Sequence, residues 1–367
     1  MQKLAAEELQ TLLDALQRLL TDHSSESRVR ALMETQQRFD QELWQQLSGM
    51  GVTGLLAAED YGGAGATPVE IERVMELCGA TLVSAPLLCS AFMSVAALQA
   101  IDDEAALSDL VPALADGSRI ATLLISCAEN QWSPQAGLQA TQNDGQWQVD
   151  GAVNMVLQAR NADLWLAPAV TDQGAALFAI DAGTNGTTTA PLPSFDHTLA
   201  LDRVELSAAP ARLLGKTGDA EPAVHAAIDI GLIALAGEQS GGAQRMLDMT
   251  VEYANVRHQF GRPIGSFQAI KHMAADLVLE VESAISAARH AAAQANREDA
   301  AQWRHLAAFT CADAFSRTTA DAVQMHGGIA FTWEHPAHLY LRRARADAQL
   351  LGHSDQHRES YLQSLGA

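Results

Sequence analysis

Positively charged side chains are scarce in this chain of 367 residues. It carries 23 Lys and Arg against 44 Asp and Glu, a formal net charge of -21. A surface with this excess of negative charge repels the phosphates of a nucleic acid, so we expect no nucleic-acid partner. Aromatic residues make up only 5% of the sequence. Ala and Leu are abundant instead, which favours helices over strands.

Cysteine is also scarce. The four cysteines, Cys78, Cys89, Cys127 and Cys311, show no CxxC pattern and no Cys/His ligand spacing. This scatter predicts reduced, buried thiols in a cytoplasmic protein and no metal site. The late histidines lie among polar residues, and we expect surface or helix-end positions for them; they are His335, His338, His353 and His357.

Long apolar runs are nearly absent. The N-terminal sequence MQKLAAEELQ has no apolar segment of the kind that a signal peptide requires. One uncharged run extends from Leu82 to Ile101, but it contains Pro86 and several Ser residues. These residues suit a buried core helix better than a membrane span, so we expect no membrane insertion.

The spacing of apolar residues changes twice along the chain and divides it into three parts. Residues 1–118 show apolar residues every three or four positions, which predicts an α-helical domain. Residues 119–214 contain short β-like runs divided by turns such as Asn143-Asp144-Gly145, which predicts a β domain. Residues 215–367 predict a bundle of long helices. The expected fold class is mainly α with a central β-barrel or sandwich.

Two polar segments interrupt the long C-terminal helices. The first, RHQFGRPIGSFQ, contains Arg257, Gln259, Phe260 and Gln268. A guanidinium, a flat ring and an amide suit a diphosphate ligand, although an Arg at a helix C-terminus also suits the helix dipole.

The second segment, QMHGGIAF, contains Gln324, Gly327 and Gly328. Adjacent glycines allow the backbone to approach a ligand closely, or they form an ordinary helix C-cap.

These two segments, extended to RHQFGRPIGSFQAIKHMAAD and QMHGGIAFTWEHPAHLYLRRA, resemble the C-terminal motifs of the acyl-CoA dehydrogenase family. The sequence DYGGAG at residues 60–65 resembles that family's N-terminal glycine motif. The motifs follow in order over nearly the whole chain. The resemblance implies the three-part fold, an FAD cofactor, an acyl-CoA substrate and an electron-transferring flavoprotein as electron acceptor.

The resemblance also implies roles for individual residues. In the family a carboxylate removes the α-proton of the thioester while the β-hydrogen leaves as hydride to the flavin. The motif residues contact the ADP part of an FAD that is bound in a neighbouring subunit. Carried over to this chain, they are Arg257, Gln259, Phe260, Gln268, Gln324, Gly327 and Gly328.

The positions of the family's catalytic Glu hold other residues in this chain. The usual position, near the C-terminus, is Leu351, and the alternative position on the preceding long helix is Gly231. Neither residue can accept a proton, so we predict no catalytic residue. The two stretches that line the flavin ring in the family, here residues 127–134 and 155–158, have also lost the family pattern.

This combination resembles the catalytically degenerate β subunit of α2β2 heterotetramers that act on bulky substrates such as steroid side-chain CoA thioesters. It predicts a subunit that completes the FAD site of a catalytic partner. Two alternatives stay open: a self-sufficient homotetramer with a relocated base, and a non-catalytic structural or binding paralogue. The candidates for a relocated base are Glu238, which also suits a structural ion pair, and Asp355, which also suits a solvated tail.

Overall fold

The computed structural model describes the backbone of residues 5–128, 131–133 and 137–366, and the side chains of residues 5–125 and 137–366. The chain divides into two compact units. The first consists of Leu32–Ile71 and Ser84–Gly231. The second consists of Ala5–Ala31, Glu72–Val83 and the chain from Leu232 onwards. Each unit is described by itself below.

Helices of the first unit begin at polar caps and bury one apolar face. The side chain of Asp40 accepts a hydrogen bond of 3.1 Å from the backbone of Leu43, and Asp103 caps the next long helix in the same way. A 3₁₀ turn at Glu59–Tyr61 leads into the DYGGAG sequence. The α-helices that lie wholly in this unit are α3 Gln41–Gly49, α5 Val95–Gln99 and α6 Glu104–Ala115.

The uncharged run is helical from Leu87 onwards, immediately after Pro86. Residues Leu87–Ser94 form a π-helix in which all eight residues are buried, and α5 continues it. The Ser94 hydroxyl donates to the carbonyl of Cys89 over 2.7 Å, which satisfies one main-chain acceptor inside the apolar core. Within the described part of the chain, no helix is long and apolar enough to cross a membrane.

The strands of the first unit form a closed β barrel. Strands β6, β4, β5, β9 and β7 pair in that order, and pairing of β6 with β7 closes the ring. The predicted hairpin turn at Asp144-Gly145 is confirmed, because both residues have positive φ and connect two antiparallel strands. The strands are β1 Ala121–Leu123, β2 Ser126–Ala128, β3 Gln131–Ser133, β4 Leu138–Asn143, β5 Gln146–Leu157, β6 Leu164–Thr171, β7 Gly174–Asp181, β8 Thr187–Pro191 and β9 Leu201–Leu214.

Long helices dominate the second unit. The longest, α7, has 36 residues and therefore extends over about 54 Å at 1.5 Å per residue. It begins in the first unit and continues through the second. The helices with residues in this unit are α1 Ala6–His23, α2 Glu26–Met33, α4 Pro68–Ala80, α7 Glu221–Val256, α8 Gln268–Ala293, α9 Ala300–His326, α10 Ala337–Asp347 and α11 Ser354–Ser364.

Small residues let the long helices of this unit pack closely. Ala236 of α7 meets alanines of α8 and α9 around the buried Cys311. Gly237 and Gly241 of α7 allow the backbone of α4 to approach, since a Cβ at Gly241 would lie 1.8 Å from the carbonyl oxygen of Glu76. The succession of helices, a β barrel and a helical bundle confirms the predicted fold class.

Candidate functional site

The first predicted segment is a small hairpin between two long helices. Helix α7 ends at Val256, β10 (His258–Gln259) pairs antiparallel with β11 (Arg262–Pro263), and α8 begins at Gln268. Phe260 and Gly261 form its tip with φ values of 54° and 77°, the left-handed pair that a tight hairpin turn requires. The amide of Ile264 donates to the carbonyl of Arg257 over 2.8 Å, so the base of the hairpin fixes the Arg257 backbone.

The hairpin presents its functional side chains to the outside. The Phe260 ring is 92% exposed, and Arg257, Gln259 and Gln268 are exposed too. The Gln259 amide donates to the carbonyl of His258 over 2.8 Å. In the described ranges of the chain, the side chains of Arg257 and Gln268 have no hydrogen-bond or ion-pair partner. A large exposed ring beside polar side chains without partners in the described ranges indicates a surface that contacts a ligand or another chain.

The second predicted segment follows α9. Gln324 is exposed in the last turn, and Gly327 takes φ 67°, which favours glycine. Gly328 differs, because its φ is not in the left-handed region and a Cβ there would meet no atom within 4 Å. Nothing in the described chain therefore requires a glycine at 328, which leaves room for close approach from outside.

Ring contacts bring the ends of α7 and α9 together. The ring of Tyr253, four residues before Arg257, stacks on the ring of His326 with centroids 4.5 Å apart and an interplanar angle of 24°. His326 immediately precedes Gly327. The structure thus places the two predicted segments at neighbouring helix ends of one unit.

The sequence of the hairpin and of the start of α8 is positively charged in an acidic chain. Between Glu252 and Asp276 the sequence contains Arg257, Arg262 and Lys271 and no carboxylate. The Arg262 guanidinium lies over the Phe267 ring at 4.0 Å. Local positive charge beside exposed apolar rings suits an anionic ligand that also has a flat apolar part.

The two positions of a family-type base hold no acidic group. Leu351 is buried, with φ 57°, and is followed by Gly352 at φ 117°. Gly231 is buried within α7. Both side chains lack an atom that could take up a proton.

The candidate relocated bases are engaged elsewhere. Glu238 forms a buried ion pair with Arg343 of α10, which agrees with its interpretation as a structural partner. The Asp355 side chain is 97% exposed and lies 3.1 Å from Arg358, as a solvated tail residue does. Neither arrangement resembles a base held in a dry cavity.

The stretches expected to line a flavin ring are described only in part. Residues 129, 130 and 134–136 lie outside the described residues, and with them Glu129; the other side chains of the 127–134 stretch are also outside. In the second stretch, Met155 and Gln158 have left-handed backbones, with φ 61° and 57°. Gln158 is buried, and its amide oxygen accepts a 2.6 Å bond from Asn161. The oxygen of this amide is therefore already engaged by Asn161.

Several buried titratable groups were missed from the sequence. Glu72 of α4 is fully buried, and within the described chain its carboxylate has no hydrogen-bond partner. Burial and then Glu76 raise its pKa to about 8, while Arg73 and Arg289 act in the opposite direction. A single Glu in a helical sequence does not indicate that the side of the helix on which it lies is buried.

The expectation for the late histidines was wrong for His357. It is buried, and its Nδ1 lies 3.0 Å from Nδ1 of His305, so one ring donates and the other accepts. Burial, and then the neighbouring His305, lower its pKa to about 4, while the backbone of Leu351 opposes this shift. His353 caps α11, as expected of a helix-end residue. The described part of the chain contains no cluster of metal-ligating side chains.

A pocket of about 380 Å³ lies elsewhere in the second unit. Its walls come from α1, α2, α4, α7 and α10 and include Arg245 and Tyr340. None of the seven predicted contact residues lines it. The predicted residues instead form an open surface, which we call the half-site: Arg257, Gln259, Phe260, Gln268, Gln324, Gly327 and Gly328.

Comparison with known proteins gives consistent matches along the chain. The family described as "Acyl-CoA dehydrogenase, N-terminal domain" matches residues 6–118, and "Acyl-CoA dehydrogenase, C-terminal domain" matches residues 222–366. The chain is 34% identical over 348 residues to acyl-CoA dehydrogenase IpdE2 of Mycolicibacterium smegmatis, covering 95% of each protein.

Two similar solved structures are named as complexes or steroid enzymes. A chain of the ChsE4-ChsE5 complex from Mycobacterium tuberculosis has a TM-score of 0.90 and 28% identity, with 100% of this chain and 99% of that chain covered. A variant of the Tcur3481-Tcur3483 steroid ACAD has a TM-score of 0.87 and 27% identity, with 98% of each chain covered.

Proposed function

Because the chain belongs to the acyl-CoA dehydrogenase family, we propose that it is the non-catalytic subunit of a heteromeric acyl-CoA dehydrogenase. In this proposal it assembles as α2β2 with a catalytic subunit and completes the FAD site of that partner. Its three domains are residues 1–118, 119–214 and 215–367. We also propose a cytoplasmic location, supported by the free, buried thiols of Cys78, Cys89 and Cys311.

The observation that carries this proposal is the outward presentation of the half-site. A self-contained cofactor site would bury its contact groups against its own chain. Here Arg257 and Gln268 have no partner in the described chain, Phe260 is 92% exposed, and a Cβ at Gly328 would meet open space. These residues fit contacts that another subunit and its cofactor supply.

The half-site residues suit the ADP part of FAD. The Arg257 guanidinium would neutralise the diphosphate, and the amides of Gln268 and Gln324 would give directional hydrogen bonds. Phe260 would offer a flat apolar surface, and the backbone at Gly327 and Gly328 would allow close approach. FAD, when bound, supplies the hydride acceptor of the dehydrogenation.

Proton abstraction belongs to the partner in this proposal. Removal of the α-proton needs a base of raised pKa beside the thioester, and Leu351 and Gly231 supply none. Glu238 is held by Arg343 and Asp355 is solvated, so neither candidate supports a self-sufficient homotetramer. A purely structural paralogue would have no use for the uncommitted Arg257.

The substrate and the electron acceptor follow from the relatives. ChsE4-ChsE5 is named as a complex and Tcur3481-Tcur3483 as a steroid ACAD. By analogy we propose a bulky CoA thioester, such as a steroid side chain, as the substrate of the assembled enzyme. An electron-transferring flavoprotein is the acceptor that the family implies.

A substitution in trans tests the proposal. The chain is assembled with its catalytic partner, and FAD per complex is measured after dialysis. Arg257→Ala removes a charge-assisted contact to the diphosphate, so we expect FAD affinity to fall about tenfold or more. Arg297→Ala is the matched control, because Arg297 is exposed and pairs with Asp299 at 2.9 Å. Equal flavin retention in both variants would overturn the proposal.

A further inference from the structure

Three aromatic rings form a cluster at the base of the half-site, which is named the stack after its one stacked pair, Tyr253 and His326. Tyr253 of α7 lies on His326 of α9, and His326 in turn contacts His335, with both pairs of centroids 4.5 Å apart. The two planes are inclined by 24° in the first pair and by 54° in the second. The sequence motifs contain His326 and His335, but the proposed function gives neither of them a role.

Hydrogen bonds show which nitrogen of each histidine carries a ring proton. His326 Nδ1 lies 2.8 Å from the carbonyl oxygen of Ala322, and a carbonyl only accepts, so the proton of His326 is on Nδ1. The amide of Ala337 donates to His335 Nδ1 over 3.2 Å, so the proton of His335 is on Nε2. His335 is therefore neutral in this arrangement, and the charge of His326 depends on whether its Nε2 also carries a proton.

A second proton would have no acceptor at His326. Its ring is 4% exposed, and in the described ranges its Nε2 has no hydrogen-bond partner. Burial lowers the pKa of His326, although its bond to Ala322 opposes this. For His335, burial and then His326 lower the pKa. A charged His326 would also repel a charged His335 across the stack.

The charged groups around the stack come from the other packed elements. Glu26 of α2 favours a charged His335, whereas Arg30 of α2 and the neighbouring His338 oppose it. Arg342 of α10 acts on His338, which lies 4.8 Å from the Trp333 ring. Helix α7 contributes the uncharged Tyr253.

The stack connects directly to the backbone that carries the half-site. The carbonyl of Tyr253 accepts the amide of Arg257 at 2.8 Å, and His326 is bonded to Gly327 through the chain. His335 lies one residue before Pro336, the N-cap of α10. A change in the stack therefore reaches the last turns of α7 and α9 and the loop into α10 together.

We propose that the Tyr253–His326–His335 stack positions the two segments of the half-site relative to each other, and does so only while both histidines are neutral. Acidification then loosens the end of α7 and the end of α9 together, and with them the contacts of Arg257 and Gly327. The three residues are positioning residues and touch no reacting atom. The consequence for flavin rests on the proposed function, whereas the positioning itself does not.

The test separates packing from protonation. His326→Phe keeps a ring of similar size but cannot titrate, and His326→Ala removes the ring. His290→Phe is the matched control, because His290 lies in the same unit and contacts Trp303 at 4.5 Å. Amide hydrogen exchange, corrected for the intrinsic effect of pH, is measured for residues 253–264 and 322–331 of the chain alone at about pH 7.5 and about pH 5.

We expect exchange of both segments in the wild-type chain to rise by about tenfold at the lower pH, because proton uptake by the buried histidines weakens the packing there. His326→Phe reduces this rise, because only His335 can then take up a proton. His326→Ala shows fast exchange at both pH values, and His290→Phe behaves as wild type. An identical pH profile in wild type and His326→Phe would overturn the inference.

Flavin retention by the assembled complex is the second measurement. If exchange behaves as expected but His326→Ala does not change flavin retention, the positioning role holds and the proposed function fails. If Arg257→Ala lowers flavin retention but exchange is insensitive to pH and to His326, the proposed function holds and the stack has no such role.

Discussion

Two buried glutamates of the second unit show how differently one side-chain type is accommodated. Glu238 meets the guanidinium of Arg343, and both side chains are buried. Within the described chain the Glu72 carboxylate has no hydrogen-bond partner, and its pKa is raised to about 8, first by burial. One residue contributes a paired charge, and the other is accommodated as the neutral acid.

Glu72 makes stability fall as pH rises. In the unfolded chain its carboxyl ionises near the ordinary value of 4.5, but in the folded chain only near 8. The folded state therefore holds the extra proton between these values, and the cost of ionising Glu72 grows across this window and is complete above it. We expect Glu72→Gln to raise the free energy of unfolding by about 4–5 kcal/mol at about pH 8.5, the equivalent of a pKa raised from 4.5 to about 8.

The measurement is denaturant unfolding of both chains at two pH values. At about pH 4.5 the variant and wild type converge, since both side chains are then neutral. A constant difference between them at all pH values would show that Glu72 does not titrate in this way.

We expect Glu238 to support structure and not proton transfer, because its carboxylate pairs with Arg343. Glu238→Ala removes the buried carboxylate that pairs with Arg343 and leaves the buried guanidinium without this anion. We therefore expect a loss of about 3 kcal/mol in the free energy of unfolding. Glu280→Ala is the control: its pair with Arg317, at 2.6 Å, is largely solvated, and we expect a change below about 1 kcal/mol. Dehydrogenase activity per assembled complex stays at the wild-type level in both variants. Loss of activity from correctly assembled Glu238→Ala complex would instead identify Glu238 as a base.

Among the contacts between secondary-structure elements, the close packing of α4 on α7 is the main feature. Glycines at 79, 237 and 241 each lie where a Cβ would come within 2.4 Å of a carbonyl oxygen of the other helix. This arrangement lets the two backbones touch and buries Glu72 between them and the rest of the bundle. The periodicity of apolar residues cannot predict this contact between α4 and α7. Without knowledge of the neighbouring helix, a glycine in a helical sequence indicates only a weak helix former.

Gly241→Ala tests this contact. The added methyl group would meet the Glu76 carbonyl, so α4 and α7 must separate, and we expect about 3 kcal/mol of destabilisation, measured as a lower Tm. Gly49→Ala in α3 is the control, because a Cβ there meets nothing within 4 Å and we expect an unchanged or higher Tm. Equal Tm shifts in the two variants would contradict the packing account.

Sequence patterns predicted the regular helices and turns better than the local departures from regular geometry. The long C-terminal helices and the turn at Asp144-Gly145 were indicated by periodicity and turn residues. The π-helix at Leu87–Ser94 was not, since its geometry depends on the surrounding core. The residues of the half-site were predicted from their motifs, whereas the stack at His326 depends on contacts between distant segments.

At the scale of the whole molecule, the distribution of charge and of exposed apolar side chains is uneven. A chain with net charge -21 has a stretch of three cations without a carboxylate around its hairpin. Large apolar side chains are exposed at the hairpin tip, at Phe260, and in the segment after α9, at Phe331 and Trp333. An apolar surface of this kind is unusual for a protein that works alone. We therefore propose that the chain is half of a cofactor site whose other half is on a partner.

The visible absorption spectrum, with FAD quantified per chain, tests this claim most directly. The chain is purified alone and then mixed with a catalytic acyl-CoA dehydrogenase subunit. We expect the chain alone to be colourless and the complex to be yellow, with an FAD content that depends on Arg257. A yellow chain that holds about one FAD per subunit by itself would contradict it.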